Sequence, residues 1–251
     1  MIFCGIDLHS NNSMVVITDE ADQVLYGKRL PNDLKAICAA LEPYREQLLG
    51  VVVESTYNWY WLVDGLRDAG YQVKLANTGA VRQYDGLKHS GDLSDARHLA
   101  HLLRLGILPE GHIMPKDQRA VRDLARKRMQ LVRSRTTQVL AAENLFSRNT
   151  GARPNANTIK GMTGVDIDRL NFDSDVALAI KANLAVIAAL NEQIEQLESR
   201  LLKRVSVHPE FTLLKSVPGI GDVLASTIWL ELGSIGRFAT VGNFSSYLRG
   251  Q

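Results

Sequence analysis

The stretch GVVVEST, Gly50–Thr56, decides how the N-terminal part of the chain folds. Its three consecutive valines lie between a glycine and polar residues, a short apolar run that is typical of a strand buried on both faces. Strands of this kind belong to parallel sheets that are covered by helices on each side. The stretch therefore predicts an α/β domain whose flanking sequence alternates between strands and helices.

The sequence before Gly50 predicts three strands and one helix. Residues 1–10, 13–20 and 23–30 have the apolar patterns of strands, and the turn-like EADQ separates the second strand from the third. Residues 31–50 then place apolar side chains at helical spacing, with Gly50 as the expected stop. These elements should form a strand meander followed by a helix.

The sequence after Thr56 alternates between helix and strand. Residues 58–70 predict a helix, residues 71–78 a strand, and a further helix is expected to begin near Asp92, within SGDLSDARHLAHLL, Ser90–Leu103. The complete order is β-β-β-α-β-α-β-α. Because three meandering strands followed by alternating helices and strands are the arrangement of the ribonuclease H-like fold, we expect that α/β fold here.

Four carboxylates are expected at one edge of this sheet. Functional groups of open α/β sheets gather at the carboxyl ends of strands, where Asp7 ends the first strand and Glu54 the fourth. Asp92 and Asp95 lie three residues apart at the start of the last helix and so share a face. Mg²⁺ prefers such oxygen ligands, and two metals roughly 4 Å apart clamp the attacking and leaving oxygens in phosphodiester cleavage. The set predicts a metal site of this kind.

Each carboxylate also has a purely structural interpretation. Asp92 could cap the last helix, Asp95 could complement its dipole, and Asp7 could cap a turn. Glu54 is the hardest to explain in this way, because an acid that closes a buried strand needs a partner. An actin-like ATPase site also begins with a glycine–aspartate turn, but the further glycine-rich phosphate loops that it requires are not found in the sequence. The ordered set favours metal binding.

The composition is that of a globular chain. Of its 251 residues, 45% are hydrophobic and 22% charged, no apolar run approaches membrane-spanning length, and the N-terminus lacks a secretory pattern. Cys4 and Cys38 cannot form a disulfide framework. We therefore expect a reducing, cytoplasmic location and no membrane partner.

The net charge of +2 is unevenly distributed. Residues 1–115 carry 10 Lys/Arg against 14 Asp/Glu, residues 116–148 carry 9 against 3, and residues 149–251 carry 10 of each. The basic segment predicts one long helix with an interrupted apolar stripe. A solvated basic face is common on long helices, but this excess of positive charge favours contact with a polyanion. The candidate nucleic-acid-binding residues on it are Arg119, Arg122, Arg126, Lys127, Arg128, Arg133 and Arg135.

Three segments complete the C-terminal part. Residues 149–175 form a linker rich in Gly, Asn and Thr, and residues 176–205 have a coiled-coil seam that could pair with the preceding long helix, another subunit, or both. Residues 213–232 predict a partial helix-hairpin-helix domain, in which Gly219 and Gly221 let backbone N–H groups approach a phosphate. We expect three regions, at residues 1–112, 113–207 and 208–251.

Taken together, the chain resembles the DEDD-class transposases of the insertion sequence 110 family, to which the Piv/MooV DNA invertases are related. The resemblance rests on GIDLHS, VVVEST, GDLSDARHLAHLLRLG and LKSVPGIGDVLASTIWLELGSIGRFATVGNFSSYLRG, in this order and over nearly the whole chain. It implies a RuvC-like domain, a coiled-coil region and a second transposase domain. Asp7, Glu54, Asp92 and Asp95 match the four acidic motif positions. The resemblance implies that they bind Mg²⁺ or Mn²⁺ and are catalytic in cutting and rejoining DNA.

The resemblance also implies partners. These are the DNA of the element ends and of the target, and a structured guide RNA. A homo-oligomer is expected as well, because strand exchange needs paired active sites and the coiled-coil seam offers a surface. Association with the nucleoid would follow from DNA binding.

One departure from the family concerns its nucleophile. In the family a serine beyond a Gly-Leu-x-Pro segment is thought to attack the phosphodiester, and this sequence lacks that segment, so the last domain is expected to be truncated. Ser245 and Ser246 precede the segment's place and fit a helix that docks against the hairpin. No nucleophilic serine is assigned.

Three functions are compatible with the sequence. The first is a transposase or site-specific recombinase polypeptide that has an acidic site for strand cleavage and rejoining. The second is a non-catalytic DNA- or RNA-binding transposase remnant. The third is a Holliday-junction-type nuclease, for which the acidic site alone would suffice.

Overall fold

Residues 1–77, 79 and 91–249 are described by a computed structural model of the chain. Within them, six strands form a mixed sheet: β1 (Ile2–Leu8), β2 (Asn12–Asp19), β3 (Val24–Pro31), β4 (Leu48–Glu54), β5 (Val73–Ala76) and β6 (Glu110–Gly111). Their order across the sheet is β3-β2-β1-β4-β5-β6, in which β1 is parallel to β4 and β4 to β5, while the other neighbours are antiparallel. The predicted meander and the buried parallel strand at GVVVEST are confirmed.

The chain divides into an N-terminal unit, Met1–Ile113, and a C-terminal unit, Met114–Gln251. The first contains the sheet with α1 (Leu34–Leu41), α2 (Tyr60–Asp68) and α3 (Asp92–Arg104). A mixed α/β sheet followed by long helices fits the expected RNase H-like class. The finer division at residues 1–112, 113–207 and 208–251 stays a prediction. Ser90, Thr78 and residues 250 and 251, which were included in the predicted segments, lie outside the described residues.

The two faces of β1 meet different helices, because successive residues of a strand point to opposite sides. One set of side chains packs in a cluster with α1 and α2 residues: Ile2, Cys4, Ile6 and Leu8. On the other face Phe3 packs with Leu99 and Leu103 of α3. The same alternation places Val52 of β4 in the α3 cluster. Asp7 follows Phe3 on β1, and Glu54 follows Val52 on β4, by an even number of residues. Asp7 and Glu54 therefore lie on the face of the sheet that α3 covers.

Gly5 sets how closely α3 approaches β1. A Cβ atom at this position would lie 1.9 Å from the carbonyl oxygen of Ala96 and 2.8 Å from the backbone nitrogen of Ala100. Both are atoms of the α3 backbone, which no side-chain rotation can move away. The glycine of the GIDLHS motif therefore lets the helix that carries Asp92 and Asp95 rest directly on the strand that carries Asp7.

The prediction of one helix over residues 31–50 is wrong at its C-terminal end. Asp33 caps α1 by accepting a hydrogen bond from the Lys35 N–H at 2.8 Å, and the helix ends at Leu41. Pro43 lacks the N–H that a further helical turn needs and lies in a 3₁₀ turn, Glu42–Tyr44. Gly50 is a buried residue inside β4 rather than a helix stop. The short strand β6 had no signal in the sequence.

Two long helices organise the C-terminal unit: α4 (Lys116–Thr150) and α7 (Ser174–Val205). The end of α4 packs against the start of α7 through residues that include Phe146 and Ile180. The start of α4 packs against the end of α7 through residues that include Val121 and Val205. The two helices are therefore antiparallel partners within the chain, one of the pairings that the apolar seam of α7 allowed.

Short helices complete this unit: α5 (Ala156–Gly161), α6 (Gly164–Asp168), α8 (Pro209–Lys215), α9 (Asp222–Leu232) and α10 (Val241–Arg249). The first two occupy the segment expected to be a linker. They contribute the fully buried Ile159 and Ile167 to the α4–α7 core. The segment was predicted to be a linker because most of its residues are polar, so the packing of these two isoleucines was not expected.

Helix α7 is also the one described helix that is long and apolar enough, by length and composition only, to cross a membrane. Such a helix taken singly is weak support for a membrane span. An 18-residue stretch of α7 has a mean hydropathy of 1.4, although charged and polar residues interrupt its apolar runs. Part of its apolar content is explained by residues that pack against α4, including Ile180, Leu184 and Ile187.

Candidate metal centre

The N-terminal unit brings acidic and imidazole side chains together where β1 meets α3. Asp7, near the end of β1, is only 4% exposed. The Nε2 atom of His9 lies 3.1 Å from Asp7 Oδ2 and 3.3 Å from Asp92 Oδ2. Arg29 of β3 forms an ion pair with the same oxygen of Asp92. Asp7 and Asp92, which are far apart in sequence, thus share one site.

Glu54 and Asp95 belong to the same cluster. Burial, a hydrogen bond with the Asp7 carboxyl and the negative charges of Asp7 and Asp95 raise the pKa of Glu54 to about 7. Burial and the charges of Asp7 and Asp92 also raise the pKa of Asp95, against the opposing effect of His98 and His9. The four predicted carboxylates therefore lie near enough to interact at one edge of the sheet, and without a cation their negative charges repel one another. Their metal-binding and catalytic roles remain predictions.

Asp92 is not the N-cap of α3. That position is Gly91, whose N–H donates to the Ser94 hydroxyl at 2.9 Å, while the same hydroxyl donates to the Gly91 carbonyl at 2.7 Å. Asp92 is the first helical residue, and its carboxylate contacts His9 and Arg29 instead. The capping interpretation does not account for this side chain.

The residues present fit a divalent cation. Asp7, His9 and Asp92 each offer one ligand atom, and these atoms all lie within 4.8 Å of one another. His9 Nε2 is shielded from solvent, yet despite its short distances to two carboxylates it makes no hydrogen bond of acceptable geometry to the described residues. A shielded polar atom in this condition is costly unless another partner binds it. Carboxylate oxygens with one imidazole are a donor set for a divalent metal ion.

His9 and Arg29 were not singled out from the sequence. His9 stands in the quoted GIDLHS motif, and its spacing of two residues from Asp7 was a usable signal, because alternate residues of an extended chain point the same way. Its carbonyl oxygen accepts hydrogen bonds from Asn58 and Asn32 at 2.9 and 3.0 Å, which fixes the turn. Arg29 gave no such signal. It faces the site because Asp7 pairs with Met14 and Met14 with Arg29 across the sheet.

The raised pKa of Glu54 predicts how the free energy of unfolding depends on pH in the metal-free protein. The folded state holds the Glu54 proton up to about pH 7, whereas the ordinary pKa of a glutamate is 4.5. The stabilisation that comes from this bound proton is therefore complete below pH 4.5. It is lost as the pH rises through about 7. The loss should reach about 3 kcal/mol at most. Urea unfolding across this range, in a chelating buffer, measures it.

Glu54→Gln should flatten this dependence, because glutamine cannot lose a proton. Glu46→Gln, which changes an exposed glutamate of the same unit, should leave it unchanged. An identical pH profile for Glu54→Gln and the wild type would contradict the carboxylate clustering.

Most of the candidate nucleic-acid-binding residues of α4 also have roles inside the C-terminal unit. Arg126 donates from Nε and Nη2 to both carboxylate oxygens of Glu231, at 2.7 Å each. Arg128 donates to Glu198 at 2.6 Å, and Arg135 to Asn191 at 2.7 Å. Arg128 and Arg135 interrupt the apolar stripe because they face polar residues of α7, whereas Glu231, the partner of Arg126, belongs to α9. Among the others, Arg119 is buried, Arg122 half-buried, and Lys127 and Arg133 are exposed.

The predicted hairpin connects α8 to α9. Gly219 has φ = +90°, a conformation that favours glycine, and Gly221 precedes the first residue of α9. Lys215 and Asp222 form an ion pair of 2.5 Å across the turn. Both glycines are exposed, and their contact with phosphate remains a prediction.

Ser245 and Ser246 lie on α10. The helix is connected to α9 by a hydrogen bond of 3.2 Å from the Tyr247 hydroxyl to the Glu231 carbonyl. The contact agrees with the expected docking of this segment against the hairpin. It gives neither serine a chemical role.

Comparison with known families gives two matches. The profile of the transposase family DEDD_Tnp_IS110 matches residues 4–148, more than half of the chain and all of the acidic cluster. The profile described as Transposase IS116/IS110/IS902 family matches residues 211–249, which contain the hairpin and α10. No curated protein sequence matches the chain. The resemblance drawn from the motifs is thereby confirmed: the chain belongs to the IS110 family of transposases, which act on DNA and use divalent metal ions.

Proposed function

We propose that Asp7, Glu54, Asp92 and Asp95 form the divalent-metal site at which this transposase cuts and rejoins DNA strands. The observation that carries the proposal is the convergence of four carboxylates from β1, β4 and α3 on one sheet edge, where burial, a hydrogen bond with Asp7 and the charges of Asp7 and Asp95 raise the pKa of Glu54 to about 7. Such repulsion is costly to the fold unless a cation relieves it. A structural role alone gives no reason to gather these charges.

The protein side of the chemistry is the holding and orientation of the ligands. Mg²⁺ or Mn²⁺ bound here would polarise the phosphoryl oxygens and activate the attacking hydroxyl or water. Arg29 fixes the Asp92 carboxylate through its ion pair, and the His9 ring lies between Asp7 and Asp92. Glu54 must lose its proton to bind a metal, so metal affinity should increase through about pH 7.

The proposed partners follow from the C-terminal unit. Lys127, Arg133 and the helix-hairpin-helix turn at Gly219 and Gly221 are exposed and would contact phosphates of the element ends, the target DNA or a structured guide RNA. Oligomer formation is supported by apolar residues on α7 that stay exposed beside its pairing with α4, such as Leu178 and Val186. A second α7 could bury them as a coiled coil between subunits. DNA binding of this kind would associate the protein with the nucleoid.

Removal of the metal is the direct test. The full chain is incubated with supercoiled plasmid DNA after treatment with a chelator, with and without added Mg²⁺ or Mn²⁺, and conversion to nicked or linear forms is measured. We expect no conversion in the chelated sample and conversion when either ion is added, because the carboxylates alone only repel a phosphate. Conversion that is equal with and without metal, or absent with both ions, would contradict the proposal.

A further inference from the structure

Beyond the acidic cluster, α3 carries a basic face. Arg97, His98, His101 and Arg104 follow one another at steps of one, three and three residues, on the side of the helix away from its buried residues. Three of them line an open groove of ≈ 290 Å³ whose walls are Asp22, Ser94, Arg97, His98 and His101. This volume is at the lower limit of small-molecule sites, about 300–1,000 Å³. The groove suits a small polar group of a larger ligand.

The single carboxylate in the groove is already neutralised. Asp22, in the turn between β2 and β3, accepts hydrogen bonds from Arg104 Nε at 2.8 Å and Nη2 at 2.7 Å, and from His101 Nδ1 at 2.7 Å. Burial acts to raise the pKa of Asp22, but these partners outweigh it and hold the pKa below its usual value. The groove therefore does not repel an anion through this residue.

Arg97 supplies positive charge that the described residues do not neutralise. Its Nη2 atom donates to the backbone carbonyl of Asp22 at 2.9 Å, and a carbonyl does not cancel a full charge. Within residues 1–77, 79 and 91–249, no carboxylate lies at ion-pair distance from its guanidinium. The side chain is exposed, and a guanidinium has five N–H donors, so donors remain for a ligand.

The groove adjoins the acidic cluster along the same helix. His98 follows Asp95 by three residues, so the two side chains are neighbours on the surface of α3. From Asp95, the axial rise along the helix is about 3 Å to Arg97 and about 9 Å to His101. Arg97 lies about 200° around the helix from Asp95, so a strand with one phosphate at the carboxylates would bring a later phosphate to the groove by following the outer side of α3. A guanidinium with imidazoles beside it is suited to bind a phosphodiester, because its N–H groups can donate to two oxygens of the same phosphate.

We propose that the groove between Arg97, His98 and His101 binds a backbone phosphate of the DNA strand that enters the acidic site, with Arg97 as the positioning residue. The inference rests on the proposed function, since it assumes that a strand reaches the carboxylates. Arg104 serves the groove indirectly, by holding Asp22. The contact carries no sequence information, because a phosphate is common to all nucleotides.

Binding without cleavage tests this inference. The full chain, in a chelating buffer, is titrated with a labelled oligothymidylate at several salt concentrations. Arg97→Gln should weaken binding about fivefold at low salt and reduce the slope of log affinity against log salt by about 0.7, the effect of one lost contact to a single strand. Arg67→Gln, which removes an exposed charge on α2 across the sheet, is the matched control and should change neither quantity.

Further variants separate charge from structure. Arg97→Lys keeps the charge and should restore most of the salt slope, whereas a role confined to the Asp22 carbonyl bond would not depend on salt. An oligouridylate bound more tightly than the oligothymidylate, with the same loss on Arg97→Gln, would assign the groove to RNA and overturn the DNA inference. Equal slopes for Arg97→Gln, Arg67→Gln and the wild type would also overturn it.

The outcome is separable from that of the proposed function. A changed slope in a protein that never cuts DNA would support the groove and refute the metal chemistry. Metal-dependent cutting with an unchanged slope would support the metal chemistry and refute the groove.

Discussion

Asp7→Asn is expected to reduce Mg²⁺-dependent DNA cleavage by about a thousandfold, equivalent to about 4 kcal/mol of transition-state stabilisation. Asp7 is the buried centre of the cluster: it contacts His9 and hydrogen bonds with Glu54. Asparagine keeps the shape of the side chain but removes the charge that holds a cation between β1 and α3. Single-turnover cleavage at saturating protein measures the loss separately from DNA binding.

The same substitution should not unfold the metal-free protein. Asp7 raises the pKa of both Glu54 and Asp95 by its charge, so its neutralisation relieves repulsion and should leave the unfolding temperature equal or higher. Asp68→Asn, at an exposed position on α2, is the matched control and should keep full activity. Cleavage by Asp7→Asn within about tenfold of the wild type would mean that this carboxylate does not hold the metal.

The sequence predicted the sheet because its signals are local and periodic. A run of valines, a strand meander and alternating elements are sufficient to predict the order of elements along the chain and to expect Asp7, Glu54, Asp92 and Asp95 near one edge. The end of α1 also has a local signal, Pro43. The prediction missed it because apolar residues after Pro43 keep the spacing of a helix. Strand β6, only two residues long, is defined by its pairing with β5 and has no local pattern.

The rest of the site depends on contacts that no local pattern contains. Arg29 reaches Asp92 through the register of three strands. The basic residues of α4 looked like a single surface from composition, but Arg128 and Arg135 face Glu198 and Asn191 of a helix 56 or more residues later in the chain. Charge counting cannot distinguish a guanidinium that binds a partner helix from one that is free for a phosphate. Tertiary packing decides between them.

Gly5→Ala should have the largest effect of any single-methyl change in the N-terminal unit. The added Cβ would overlap the Ala96 carbonyl oxygen at 1.9 Å, so α3 must move away from β1 or the strand must bend. Overpacking of a core typically costs about 1–3 kcal/mol when side chains can adjust. Here the obstacle is backbone, and we expect about 3 kcal/mol or more, measured as a lower midpoint in urea. Gly161→Ala, at a helical glycine with open space around it, should be neutral.

The consequence for the site distinguishes this substitution from ordinary destabilisation. If α3 shifts outward, Asp92 and Asp95 move away from Asp7 and Glu54, and the pKa of Glu54 should fall towards 4.5 because part of its burial and the repulsion from Asp95 are lost. Metal-dependent cleavage should fall with it, even at temperatures where Gly5→Ala remains folded. A folded Gly5→Ala protein with normal cleavage and an unchanged pH profile would show that the acidic cluster does not need the close contact of β1 and α3. Gly5 would then serve the fold alone, and the approach of Asp92 and Asp95 to Asp7 and Glu54 would not depend on it.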